Sequence, residues 1–112
     1  MTEHLDMRLI SELRELMEDD FGELIDTYLH DSELRRQQIV DAVASTEVTA
    51  IRNAAHSLKG SSSNIGAVQL AHLCQSLEDM GRAGNVANTS TALAAIEKEL
   101  LAVQQLLRDM SA

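Results

Sequence analysis

The stretch TEVTAIRNAAHSLKGSSSNIG, residues 46–66, decides the fold. Val48, Ile51, Ala55, Leu58, Ser62 and Ile65 recur at intervals of 3-4-3-4-3, the seam of a helix that packs against others along its length. Thr46 is the expected N-cap of this helix. Asn64 and Gly66 mark its end, glycine being suited to the left-handed residue that closes a helix. About 100° around from the seam, Arg52, His56, Lys59 and Ser63 follow at 4-3-4 and make a polar stripe beside the apolar one.

Outward from this stretch the same period continues. Leu70, Leu73, Cys74, Leu77 and Met80 share a face of the next helix, which starts near Ala67 and is expected to stop at Gly81-Arg82-Ala83-Gly84. Leu93, Ile96, Leu100, Val103, Leu107 and Met110 repeat the 3-4-3-4-3 pattern in the last segment. Upstream, Leu9, Ile10, Leu13, Leu16 and Met17 predict a short amphipathic helix over about Asp6 to Glu18, with Asp6 as N-cap. A longer segment follows Asp19-Asp20 and runs to about Ala44. It carries Phe21, Leu24, Ile25, Tyr28, Leu29, Ile39, Val40 and Val43. Its charged middle, Asp31 to Arg36, reads either as the solvated turn of one long helix or as a break.

No strand pattern competes, and there is no proline among the 112 residues. The expected architecture is all-α: an antiparallel four-helix bundle, with the short additional N-terminal helix laid across one end. Residues 1–112 are expected to be one domain, since the length admits a single core.

Composition narrows the function. Nine basic against eighteen acidic side chains give a net charge of −9, which argues against nucleic acid and anionic membrane as partners. The lone Cys74 has no second cysteine to pair with, so a reducing compartment is expected. No stretch reaches membrane-spanning length, and residues 1–6 lack the basic and apolar regions of a signal peptide. A cytoplasmic protein is the expectation.

Chemistry concentrates at His56. Neutral imidazole is a good nucleophile near physiological pH, and Lys59 and Arg52 place positive charge one turn to either side, where an incoming phosphoryl group could be held. Gly60 occupies a helix interior, where glycine costs about 1 kcal/mol relative to alanine; keeping the approach to the imidazole open is a physical reason for it. Ser61, Ser62 and Ser63 keep the neighbouring surface low. An antiparallel hairpin at 64–67 returns the next helix alongside, and on it Glu78 is a candidate to accept a hydrogen bond from Nδ1–H. That bond would leave Nε2 unprotonated and outward, and would stabilise the positive ring formed during transfer.

His56, Leu58, Lys59, Gly60, Ser61, Ser62, Ile65 and Gly66, with Ala55 before them, resemble in order and spacing the motif of histidine-containing phosphotransfer (HPt) domains. The resemblance implies a bundle that accepts a phosphoryl group on Nε2 of His56 from an aspartyl phosphate and passes it to another receiver. The implied partners are the receiver domains of a hybrid sensor kinase and of a response regulator. It also implies Gln or Glu at the position of Glu78, Lys59 as charge partner of the phosphate and Gly60 as the access residue. The metal ion would belong to the receiver, so the chain itself should need no cofactor. No phosphate loop or kinase signature is present, so autophosphorylation from ATP is not expected; the implied form is a free-standing, monomeric shuttle.

Two other readings compete. A helical bundle can hold a metal, but no Glu-x-x-His pair occurs, and His72 and Cys74, two apart on a helix, diverge. Alternatively the chain is an unphosphorylated adaptor that docks to a response regulator through apolar residues of the first helix left outside the core, among Leu9, Ile10, Leu13 and Leu16.

Overall fold

The seam of residues 48–65 lies buried between helices: Ile51, Ala55, Leu58 and Ser62 are wholly enclosed, and Ile65 nearly so. The computed structural model describes residues 4–111. Helix α1 spans Met7–Met17, and a 3-10 turn at Glu18–Asp20 leads into α2, Phe21–Ser45. Helices α3, Val48–Asn64, α4, Val68–Ala83, and α5, Thr89–Ser111, complete the chain, with no strand among the described residues. α3 packs on α2 and α4, and α5 closes the ring by packing on α4 and α2. Short connections between chain neighbours force this up-and-down, antiparallel order.

The core follows from the periodicity. Ile25, Ile39, Ile51, Leu58, Leu70, Cys74, Leu77, Ile96, Leu100, Val103 and Leu107 have no exposed surface. Each large aliphatic side chain so enclosed contributes roughly 1.5–3 kcal/mol of transfer free energy. On α5 the central four apolar positions are fully buried, whereas Leu93 and Met110 at its ends are only partly covered.

α1 is anchored to the end of the bundle where α3 turns into α4. The Asp6 carboxylate accepts from the backbone N–H of Arg8 and Leu9 at 3.1 and 3.2 Å, and the Asp6 N–H donates to the Gly66 carbonyl at 2.8 Å. Gly66 has φ +80°, and a Cβ there would lie 3.2 Å from Leu9 Cδ2. Both the turn and the seating of α1 therefore need glycine. Leu5 and Ile10 enter the core, while Leu16 stays 81% exposed.

The charged middle of α2 is no break. Asp31 pairs with Arg35 (2.5 Å) and Glu33 with Arg36 (3.1 Å) along the helix surface, and Arg36 also reaches Glu97 on α5 at 3.1 Å. Ser32, inside this charged run, faces inward and accepts from the buried Gln104 amide at 3.1 Å.

Two helix boundaries differ from the sequence reading. Thr46 does not cap α3; it closes α2 with a left-handed φ of +58°. Glu47 holds the N-cap position of α3 without a side-chain cap bond, and the Glu47 N–H donates instead to Ser45 Oγ at 3.2 Å. At the other end, Gly81 is not part of the stop of α4. The helix runs through it to Ala83 and ends at Gly84, φ +71°. Gly84 N–H donates to Gly81 O and Asn85 N–H to Met80 O, at 3.2 and 3.0 Å, the paired bonds of a left-handed helix terminus.

Candidate functional site

α3 and α4 run antiparallel in a register that sets His56 against Glu78 and Lys59 against Gln75. Leu58 and Leu77, wholly buried, belong to the core that the two helices share. With its backbone fixed in this way, the His56 ring projects outward, 65% exposed, while the Glu78 side chain is 1% exposed. The ring's Nδ1 lies 3.2 and 3.3 Å from the two carboxylate oxygens. A carboxylate only accepts, so Nδ1 carries the hydrogen, and in the neutral ring the lone pair is on Nε2.

A buried carboxylate needs more than one partner. Lys59 Nζ lies 3.0 Å from Glu78 Oε1, and Arg82 Nη2 donates to Oε2 at 2.8 Å from one turn along α4. Lys59 also donates to Gln75 Oε1 at 2.8 Å; the Gln75 amide in turn donates to Asp79 at 2.8 Å. Burial pushes the Glu78 carboxyl pKa up, but the hydrogen bonds and charges of Lys59 and His56 outweigh it and hold it below the usual carboxylate range. The group is therefore ionised at neutral pH.

Glu78 meets His56 Nδ1 as the sequence reading expects; Lys59, expected to face the phosphate, has its ammonium on Glu78 and Gln75 instead. Arg52 and Ser63 lie exposed on the same stripe but outside the hydrogen-bonded cluster. Gly60 is exposed, one turn after His56, and a Cβ built on it meets nothing within 4 Å. Sequence reasoning missed Arg82, taken only as part of a helix stop, and Gln75. The four-residue spacing of Glu78 and Arg82 is a legible ion-pair signal; Gln75 becomes legible only once the register is known.

On the α2 side, Arg35 bridges Asp31 and Ser57, the latter adjacent in sequence to His56. Cys74, wholly enclosed beneath the site, has its thiol pKa pushed up to about 12, chiefly by burial, so it is no nucleophile at neutral pH. His72 is exposed and Cys74 buried, so the two face apart. Among the described residues no group of three or more His, Cys, Asp or Glu side chains is placed to hold a metal ion, and no helix is long and apolar enough to cross a membrane.

Chemically, the arrangement is an accessible nucleophilic nitrogen whose tautomer is set from behind by a fixed anion. The family model for the Hpt domain matches residues 23–106. No curated protein matches the chain. Among solved structures, the crystal structure of histidine-containing phosphotransfer protein B (HptB) from Pseudomonas aeruginosa PAO1 is similar at a TM-score of 0.95. It shares 37% sequence identity, over 99% of this chain and 96% of that one.

Proposed function

The chain belongs to the Hpt family, whose members serve phosphotransfer in two-component signalling, and from that premise we propose that His56 is its phosphoryl-carrying residue. The Nε2 lone pair attacks the phosphorus of a receiver domain's aspartyl phosphate. An N–P bond forms as the acyl P–O bond breaks, and the aspartate leaves as a carboxylate. Nδ1 keeps its hydrogen, so positive charge develops on the ring and is met by the ionised Glu78. Passing the group to a second receiver is the reverse of these events on a new carboxylate. The metal that neutralises phosphoryl oxygens belongs to the receiver in this proposal, and no cofactor of the chain takes part.

Lys59 and Arg82 keep Glu78 anionic in its dry site and add positive potential around an otherwise acidic molecule. Arg52 extends that potential one turn further, and Gly60 and Ser63 leave the approach to the ring low. The observation that carries this reading is the geometry of His56: Nδ1 tethered to a buried carboxylate while 65% of the side chain faces solvent.

Transfer of labelled phosphate from a panel of phosphorylated receiver domains tests the proposal. Acid-labile, base-stable label is expected on the wild type and none on His56→Gln. Receiver binding without label on the wild type, from donors that phosphorylate other Hpt proteins, would instead support an unphosphorylated adaptor.

A further inference from the structure

We infer that Gly81 is a positioning residue for the reaction: by lacking a side chain it lets α4 approach α3 closely enough for Glu78 to reach His56. The inference rests on His56 being the phosphoryl acceptor, as proposed above.

Gly81 lies within α4, where alanine would favour the helix by about 1 kcal/mol, and its backbone needs no left-handed conformation, unlike that of Gly84. Neither propensity nor turn geometry explains a glycine here. Packing does. A Cβ on Gly81 would stand 2.9 Å from the Arg52 backbone nitrogen, 3.0 Å from Arg52 Cβ and 3.0 Å from the Val48 carbonyl oxygen. These atoms belong to α3's backbone or are fixed to it, so no side chain can swing aside. Gly60, by contrast, has open space at the same point.

The place of this contact in the hairpin matters. Arg52 precedes His56 by one turn of α3, and Gly81 follows Glu78 by three residues on the antiparallel α4. This tight contact is therefore one turn from the histidine–carboxylate pair. An added methyl must move the helices apart by about half an ångström to restore ordinary contact with the Arg52 nitrogen. The His56–Glu78 bond starts at 3.2 and 3.3 Å, already at the long end of the hydrogen-bond range, and half an ångström more takes it outside that range. Lys59 and Gln75 lie further along the hairpin from the point of separation.

The test uses the whole chain carrying Gly81→Ala, with ring ¹⁵N resonances reporting the His56 tautomer in the unphosphorylated protein. This readout needs no phosphate transfer, so it decides the role of Gly81 even where transfer itself fails. In the wild type, Nδ1–H with an unprotonated Nε2 is expected to dominate; in folded Gly81→Ala the balance shifts toward the Nε2–H form that free imidazole side chains prefer. Transfer from a receiver is expected to slow by about tenfold or more in kcat, with KM unchanged, a displacement of about 1 Å costing on the order of 10²-fold elsewhere. In a Glu78→Ala background, Gly81→Ala is expected to cause no further loss, because the residue acts through Glu78. An unchanged tautomer in folded Gly81→Ala, or losses that multiply in the double variant, would overturn the inference. Should Gly81→Ala alone fold poorly, Gly22→Ala supplies a stabilised background, as its added Cβ meets nothing within 4 Å in α2.

Discussion

At Glu78, burial and charge pull in opposite directions. Removing a carboxylate from water raises its pKa, yet the donors around it bring the balance below the usual range. Stability then depends on pH with a definite sign: a depressed folded-state pKa contributes stability that is complete above the unfolded value, about 4.3 for glutamate, and is lost as pH falls through the folded value. Glu33, whose carboxyl is held low mainly by the Gln104 amide, loses its contribution in the same window, so acid destabilisation of the wild type alone does not isolate Glu78. The difference between wild type and Glu78→Gln does. Denaturant titrations across that acid window are expected to show a steeper loss in the wild type; parallel curves would mean that Glu78 gains nothing from its cations. His56 and Glu78 were legible in the sequence as a pair because motif and hairpin logic bring them together; Lys59 was legible as a nearby cation but not as a partner of Glu78. The four-residue spacing of Glu78 and Arg82 was a legible signal that went unread, whereas the placing of Gln75 against Lys59 depends on a register that periodicity leaves open.

The elements were legible where an apolar stripe repeats and less so where polar groups enter the core. Ser62 sits on the seam of α3, and the sequence counts it simply as a small seam residue. In the bundle it is wholly buried and bonded at 2.9 Å to the Tyr28 hydroxyl on α2. Burial pushes the Tyr28 phenol up to about 12 despite the serine's opposing hydrogen bond, so the hydroxyl stays protonated and the pair stays neutral. Ser62→Ala leaves a buried hydroxyl without its partner, and chemical denaturation is expected to show a loss of about 1–3 kcal/mol. Adding Tyr28→Phe should recover part of that loss; a strictly additive double variant would show that the bond carries no coupling. Gln104 with Ser32 makes a second polar link, from α5 to α2, invisible to a reading that tracks only hydrophobic spacing. Helix ends were misread because residue type alone does not place them: Thr46 closes α2 rather than capping α3, and Gly81 packs against α3 rather than stopping α4.

Across the whole molecule, a net charge of −9 contrasts with the cations Arg52, Lys59 and Arg82 set around one exposed imidazole. The chain has four histidines, and their surroundings divide them. His30 and His72 are exposed on α2 and α4. His4 Nδ1 meets the carboxylate of Glu99 at 2.6 Å beside the start of α1. Both His4 and His56 set Nδ1 against a buried carboxylate, but His56 is the more exposed, 65% against 36% of the side chain, and it precedes the run of small residues Gly60 to Ser63. Helical periodicity was enough to foresee the bundle that makes this division, because four amphipathic faces joined by short turns leave few ways to close a core. The decisive measurement is the position of phosphorus in the phosphorylated, ¹⁵N-histidine-labelled protein, read from one-bond ³¹P–¹⁵N coupling. Coupling to Nε2 of His56 alone is the result expected here. Coupling to Nδ1 of His56, or to His4, His30 or His72, would contradict the assignment of the reactive atom and, with it, the role given to Glu78.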